Sequence, residues 1–178
     1  MEYSAPVKVP DGRYYMKVSG SNRIQLNKLN IASFDSKPLM ISLSEAQLDQ
    51  VKSLEDQVVS KALESSVEWF GREISTATIA KAFQSSISDN TFETCLATSK
   101  GGVITSFWDS NKNPKDQSTE WSDVDIIVEL SGVWFLQKSF GPIFKVIQVK
   151  ESKQPAYTRK TYLFSDDQSD DDQMDYLD

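Results

Sequence analysis

The chain has 178 residues, 39% of them hydrophobic and 11% aromatic, which is enough to bury the core of one domain. It contains no histidine, so histidine-dependent nucleophiles and histidine-containing metal sites are excluded. Its single cysteine, Cys95, allows no intrachain disulfide and favours a reducing compartment. The sequence has no apolar run of membrane-spanning length and no N-terminal apolar segment typical of a signal peptide. We therefore expect an intracellular protein, cytoplasmic or nuclear, that is neither secreted nor bound to a membrane.

The negative charge is concentrated in residues 165–178, SDDQSDDDQMDYLD, which we call the acidic tail. The whole chain has 26 acidic and 19 basic residues, and the tail holds seven of the acidic ones and no basic one. Residues 1–164 are therefore balanced, and the net charge of −7 comes from the tail. Like-charge repulsion and few apolar groups predict a disordered tail in isolation. Residues 1–164 are predicted to form one globular domain.

The first half of the chain predicts two strands and two helices. RYYMKV and KLNIASF have the composition of strands. Ser44 and Gln47 form a capping-box pattern that starts a helix over residues 45–65. Its apolar stripe comprises Leu48, Val51, Leu54, Val58, Ala62 and Leu63, and acidic residues including Glu55 lie largely off this stripe. TATIAKAFQSS predicts a second, shorter helix, and SISDN predicts a turn.

From Thr91 onward the pattern is typical of strands. The candidates are FETCLATS, GVITSFWD, DVDIIVEL, VWFLQ and PIFKVIQVK, with Ser131-Gly132 separating the third from the fourth. Several strands with one long helix favour a mainly β fold with helices (α+β), an oligonucleotide/oligosaccharide-binding (OB) fold-like small barrel that carries a long amphipathic helix.

The sequence offers little for catalysis. Gly101-Gly102 is not followed by the Lys and Ser/Thr of a phosphate-binding loop. Asp123 and Asp125 would share one face of a strand, either as the solvated start of that strand or as a metal pair. We expect no catalytic residue, metal or cofactor, and hence a protein that is not an enzyme.

Aromatic and basic residues alternate between residues 133 and 153 and in the loop after Trp108. Single-stranded nucleic acid needs this combination, because bases stack on aromatic rings and cations follow the phosphates. The candidate nucleic-acid-binding residues are Tyr14, Lys17, Trp108, Lys112, Lys115, Trp134, Lys138, Phe140, Lys145 and Lys150. Tyr15, next to Tyr14, could line the same groove. Aromatic residues of small barrels also form cores, and both faces of PIFKVIQVK carry apolar residues, so the pattern does not decide which rings are exposed.

The acidic tail predicts two roles. A tethered polyanion would compete with DNA for basic grooves at an effective concentration of about millimolar. When displaced, it would offer a partner an apolar anchor with steering charges. The candidate partner-binding residues are Asp170, Asp171, Asp172, Asp175, Tyr176 and Leu177, with Met174 beside them. The alternative is a tail that only increases solubility.

Four segments together resemble a known family: VELSGVWFLQKSFGPIFKVIQVK, WFGREIS, FWDSNK and the acidic tail. The layout resembles the single-stranded-DNA-binding proteins of nucleocytoplasmic large DNA viruses, which are similar to the short-tailed coliphage single-stranded-DNA-binding protein. The resemblance implies an OB-fold core, a homodimer, preference for single strands and tail contacts with replication enzymes, at a viral replication site.

These observations predict a non-catalytic single-stranded DNA-binding protein of viral DNA replication, recombination and repair. The alternative is a virion component or assembly protein whose tail binds a basic protein partner. That alternative predicts no affinity for oligonucleotides.

Overall fold

The computed structural model describes residues 1–152, and the acidic tail lies outside this range. The described residues are mostly β, with three helices between the early and the late strands. The helices are α1 (Glu45–Glu64), α2 (Ser66–Phe70) and α3 (Thr76–Ala82). The strands are β1 (Glu2–Tyr3), β2 (Val7–Lys8), β3 (Tyr14–Ser19), β4 (Arg23–Asn30), β5 (Leu39–Ser42), β6 (Ile87–Ser88), β7 (Thr91–Leu96), β8 (Thr98–Ser99), β9 (Gly102–Val103), β10 (Ser106–Trp108), β11 (Asp123–Phe135) and β12 (Phe140–Glu151).

The long strand β11 is the centre of a mixed sheet. One edge of β11 pairs with β12, and the other pairs with β3 and β4, which follow one another along it. The far edge of β12 pairs in parallel with β7 and β10, and β7 pairs in turn with β5 and β6. Within residues 1–152 the pairing order ends at β1 and at β5, so the sheet is open. The arrangement is consistent with an OB-like fold, but the expected small barrel is not closed by strand pairing.

Residues 123–135 form one strand, so the predicted break at Ser131-Gly132 is wrong. The register against β12 shifts between Leu130 and Gly132, which leaves Ser131 as a bulge. The hydroxyl of Tyr15 donates to the Ser131 carbonyl oxygen at 2.9 Å, and its ring covers Gly132. A Cβ at residue 132 would lie 2.3 Å from Cε2 of Tyr15. Glycine therefore continues the strand here because another ring occupies the space of its side chain.

The helix predicted over residues 45–65 is observed as α1. The Ser44 N–H donates to Oε1 of Gln47 at 2.9 Å, as a capping box requires. The buried stripe of α1 joins the inner face of the sheet in one core, with contributions from Leu48, Val51, Leu54, Val58 and Ala62. No helix among residues 1–152 is long and apolar enough to cross a membrane.

Glu55 departs from its predicted place off the stripe, because its side chain is buried. It accepts hydrogen bonds from the Ser85 hydroxyl at 2.7 Å and from the Ser86 hydroxyl and N–H at 2.6 and 2.7 Å. These bonds replace the water that a carboxylate loses on burial. Glu55 thereby holds the segment after α3 against α1.

Several boundaries differ from the sequence prediction. The predicted strands FETCLATS and GVITSFWD are each divided in two, the first into β7 and β8 and the second into β9 and β10. The helix predicted for TATIAKAFQSS ends at Ala82, because Phe83 and Gln84 pair with Phe140 instead. The predicted turn SISDN contains the short strand β6. KLNIASF is a strand only in its first half, since β4 ends at Asn30.

Candidate nucleic-acid interface

The sheet has an outer face, formed by side chains that point away from the core. Buried residues such as Met16, Val18 and Val133 alternate with less buried neighbours, and residues paired across strands point to the same side. The outer face is defined by Tyr15, Lys17, Arg23, Gln25, Cys95, Trp108, Asp125, Ile127, Glu129, Trp134, Ile143, Lys145, Gln148 and Lys150.

Trp134 and Tyr15 lie side by side at one end of the outer face. They are paired residues on β11 and β3, and Trp134 is paired on its other side with Gly141. A Cβ at residue 141 would lie 3.0 Å from Cζ2 and Nε1 of Trp134, so the indole rests on the glycine backbone. Trp134 is half-buried and forms no ring pair with another described aromatic residue. The indole is thus held in place without an aromatic partner.

Four cations lie on the outer face, in two kinds of surroundings. Arg23 Nε lies 2.7 Å from Oε2 of Glu129, and Lys150 Nζ lies 3.2 Å from Oδ2 of Asp125. Lys17 and Lys145 form no ion pair with any residue in the range 1–152. Lys17 on β3 is paired with Gly132 of β11, and Lys145 on β12 is paired with Glu129 of β11. Lys17 and Lys145 are therefore the outer-face cations whose charge no ion pair within residues 1–152 neutralises.

The other end of the outer face is formed by the row Trp108, Lys150 and Asp125. Burial acts to raise the pKa of Asp125, but hydrogen bonds from the Lys28 N–H and the Ser152 hydroxyl, together with Lys150, hold that pKa below its ordinary value. The lowered pKa shows that the ionised form of Asp125 is stabilised by groups of the protein that already bind its carboxylate. Within the described residues no group of three or more acidic, cysteine or histidine side chains gathers as a metal site.

The loop after Trp108 is held by its own hydrogen bonds. The Asn113 N–H donates to Asp109 and holds the pKa of that carboxyl below its ordinary value. Lys112 is exposed in this loop. Nζ of Lys115 lies 2.9 Å from Oε1 of Glu151 and 4.2 Å from the ring centroid of Trp121. Lys112 is thus open to solvent, whereas the ammonium of Lys115 is already paired.

The structure contradicts the prediction for Phe140 as a base-stacking residue. Its side chain is 0% exposed and its ring stacks on Phe135 with a centroid distance of 5.9 Å. Residue 140 belongs to the inward side of β12, next to Phe70 and Phe83. It therefore has no surface to offer a base.

Two further candidates lie away from the outer face. Tyr14 is 45% exposed, but it points to the other side of β3 from Tyr15 and lines a groove of about 400 Å³ beside α2. Lys138 is exposed in the turn between β11 and β12 and lines an adjacent groove of about 200 Å³. We call this region the α2 groove, which includes Tyr14, Trp69, Phe70, Arg72, Leu136 and Lys138.

Comparison with known proteins identifies a family. Residues 27–166 match DUF5871, described as a family of unknown function. The chain belongs to this family. The matched range includes Trp134 and Lys145 but not Tyr15 or Lys17. No curated protein matches the chain.

Two solved structures are similar to this chain at low scores. One is the single-stranded DNA-binding protein from bacteriophage Enc34 in complex with ssDNA, which is 8% identical with a TM-score of 0.47 and covers 85% of this chain and 96% of that one. The other is the single-stranded DNA-binding protein from the same phage, which is 8% identical with a TM-score of 0.44 and covers 91% and 97% of the two chains.

Sequence reasoning did not separate the two tyrosines of β3, and it missed a groove. Of Tyr14 and Tyr15, only Tyr15 lies on the outer face beside Trp134. The signal was present in RYYMKV, because the alternation that buries Met16 and Val18 turns Tyr15 and Lys17 outward. No sequence pattern indicated the groove of about 680 Å³ beside Trp134, because its lining joins segments that are distant in the chain. Glu93, Cys95 and Ile143 also line this groove.

Proposed function

We propose that this protein binds single-stranded DNA on the outer face of its sheet and has no catalytic activity. The observation that carries the proposal is the position of Trp134. Its indole rests on Gly141, lies beside Tyr15 and has no aromatic partner among the described residues. Lys17 and Lys145, on the same face, form no ion pair within residues 1–152. Aromatic rings and cations thus share one solvent-facing surface.

The surface suits a single strand in chemistry and in extent. Stacking on an aromatic ring contributes about 1–3 kcal/mol per base, and it is tolerant of sequence because every base has a π-face. The rows of Trp134 and Trp108 are joined by β12 from Gly141 to Lys150, a distance of about 30 Å at the usual strand rise. Trp134 and Tyr15 would stack bases, and Lys17 and Lys145 would contact phosphates.

Among the described residues, the outer face has few cations without an acidic partner, and this affects its affinity for DNA. Glu129 and Asp125 neutralise Arg23 and Lys150, so a bound strand would gain its electrostatic attraction from few cations. Since each phosphate contact contributes to the salt dependence of binding, we expect a shallow decrease of affinity with salt. Stacking then supplies a large share of the binding free energy.

The proposal extends to the acidic tail and to the setting of the protein. The tail competes with DNA for the outer face and, once displaced, binds replication enzymes through its aspartates, Tyr176 and Leu177. Its seven negative charges support this proposal, because a polyanion is attracted to the same cations as DNA. The protein then acts inside the cell as a homodimer in the replication, recombination and repair of viral DNA, like the viral family that its sequence resembles.

A titration with fluorescent oligo(dT) tests the proposal. The full-length protein is compared with a variant that lacks residues 165–178 and with a full-length variant in which the tail aspartates are replaced by asparagine. Measurements at low and moderate salt follow both the oligonucleotide label and tryptophan emission. We expect binding with tryptophan quenching, and tighter binding for both tail variants, most clearly at low salt.

The outcomes separate the parts of the proposal. Equal affinity of all three proteins would refute competition by the tail and leave single-strand binding intact. No binding by any form would refute the proposed function and favour the interaction protein, whose tail binds a basic partner in a salt-sensitive complex.

A further inference from the structure

The groove beside Trp134 is larger than the α2 groove and differs from it in chemistry. Its volume of about 680 Å³ falls in the range of roughly 300–1,000 Å³ that is common for small-ligand sites. Trp134 forms one wall, and Pro142 and Ile143 of β12 add apolar surface next to it. Because the indole rests on Gly141, this wall keeps its position without support from a ligand.

The far side of the groove is polar, and most of its polar groups already have partners. The hydroxyls of Ser85 and Ser86 donate to the buried carboxylate of Glu55. The Thr94 hydroxyl donates to the Phe144 carbonyl oxygen at 3.1 Å. These groups shape the groove but offer no strong hydrogen bond to a ligand.

Among the described residues that line the groove, Glu93 is the only acidic one. Its carboxylate takes part in no side-chain hydrogen bond or ion pair with the residues of the range 1–152. It lies on the exposed side of β7, two residues before Cys95, which also lines the groove and is paired in register with Lys145. The lining thus includes an acidic side chain without a partner among residues 1–152, and Lys145 is the β12 neighbour of one lining residue, Cys95.

These surroundings select the chemistry of an occupant. A carboxylate only accepts hydrogen bonds, and it repels phosphate. An occupant that fits has a flat face for the indole, amino hydrogens for Glu93 and an attached anion for Lys145. A nucleotide whose base bears an exocyclic amine has all three. Thymine instead presents two carbonyl oxygens on either side of its single ring N–H, and both oppose the carboxylate.

We propose that the groove beside Trp134 is a base subsite that accepts one nucleobase bearing an exocyclic amine. The base stacks on the indole, and its amino group donates a hydrogen bond to Glu93. The inference rests on the proposed function, since it names which base the single-strand site prefers. The phosphate of that nucleotide lies toward Lys145, on the outer face. Binding would tolerate any sequence but favour cytosine, adenine or guanine over thymine at this position.

Two oligonucleotides of equal length isolate the amino group. Oligo(5-methyl-dC) and oligo(dT) carry the same methyl group and ring size, but only the first has an exocyclic amine. The full-length protein should bind oligo(5-methyl-dC) about three- to tenfold more tightly, the effect of roughly one charge-assisted hydrogen bond at a partly solvated site. Glu93→Gln and Glu93→Ala should bring this ratio close to one.

Matched variants give the experiment its controls. Asp56→Asn removes the same charge from the exposed side of α1 and should leave the ratio unchanged. Trp134→Ala should weaken binding of both oligonucleotides and also remove the preference. If the wild-type protein binds both equally while Trp134→Ala still weakens binding, the base subsite is wrong and the proposed function stands. If neither oligonucleotide binds the wild-type protein, both are wrong.

Discussion

Trp134 and Phe135 are neighbours in sequence, yet they lie in opposite surroundings. Phe135 points into the protein, where its ring meets those of Trp69, Phe70 and Phe140 at centroid distances of 5.6 to 5.9 Å. Trp134 points outward onto Gly141 and has no such ring partner within residues 1–152. The difference shows that the same aromatic character serves stability on one face of a strand and is available for binding on the other.

The inner aromatic cluster has a structural task of its own. Edge-to-face ring pairs contribute about 0.5–1.5 kcal/mol each beyond the area they bury. Phe140 pairs with rings from α2, from the end of α3 and from β11. It therefore joins the helical segment to the sheet, and its removal should affect the whole fold rather than one binding contact.

Substituting one aromatic residue from each region gives the largest expected effects. Phe140→Ala should lower the free energy of unfolding by about 3–5 kcal/mol, because it leaves a cavity in the core. Trp134→Ala should weaken oligonucleotide binding by about 1–3 kcal/mol, because one stacking platform is lost. The loss of stability should be much smaller. Urea unfolding and oligo(dT) titration of both variants measure the two effects.

The comparison would be contradicted if the loss of stability and the loss of affinity fell on the opposite variants. If Trp134→Ala unfolded the protein as readily as Phe140→Ala, the indole would be a core residue. If the Phe140→Ala protein, in conditions where it is folded, lost affinity as strongly as Trp134→Ala, the outer face would not be the binding surface.

The salt dependence of binding should distinguish a lysine without an ion pair from a lysine that already has one. Lys145→Gln should reduce the magnitude of the slope of log K against log salt by about 0.7, the contribution of one phosphate contact on a single strand. Lys115→Gln removes the same charge, but Lys115 is paired with Glu151 and should leave the slope almost unchanged. Titrations of both variants over a series of salt concentrations measure the slopes. Equal slopes for the two variants would contradict a role for Lys145 at a phosphate.

The smallest effect concerns the ion pair at the other end of the outer face. Because the pKa of folded Asp125 is lowered from 3.8, its ionised form stabilises the fold above that pH, and the contribution is lost as the pH falls through the folded pKa. Asp125→Asn should therefore reduce stability at pH 7 by at most about 1 kcal/mol, since the partner Lys150 is partly exposed. Unfolding curves at pH 7 and near pH 3 should show the difference shrinking at the lower pH. A difference that stayed constant would show that the charge of Asp125 is not its cause.

Much of the fold could be predicted from local pattern. The capping box at Ser44 and the apolar stripe after it predicted α1, and alternation predicted most of β3, β11 and β12. Glu55 was misplaced, because its partners Ser85 and Ser86 come from a segment about 30 residues away. The break at Ser131-Gly132 was wrong for a similar reason, since Tyr15 on another strand completes the bulge.

The candidate site was predicted less completely than the fold. Lys17, Trp134 and Lys145 came together on one face, whereas Phe140 went to the core and Tyr14 and Lys138 went to the α2 groove. The predictions for the acidic tail concern residues outside the described range, and they remain predictions.

The sequence by itself determined the composition of this protein, the separation of an acidic tail from a balanced body, and the period of its helix and strands. Those properties depend on residues close together in the chain. Only the tertiary structure decided which face of β12 is the core, because both of its faces carry apolar residues and burial depends on what packs against the strand. It also placed Glu93 in a groove with Trp134, and it opposed Arg23 and Lys150 with acidic partners. Such contacts are made by strands that pair across the sheet, and their register is set by the packing of the whole domain.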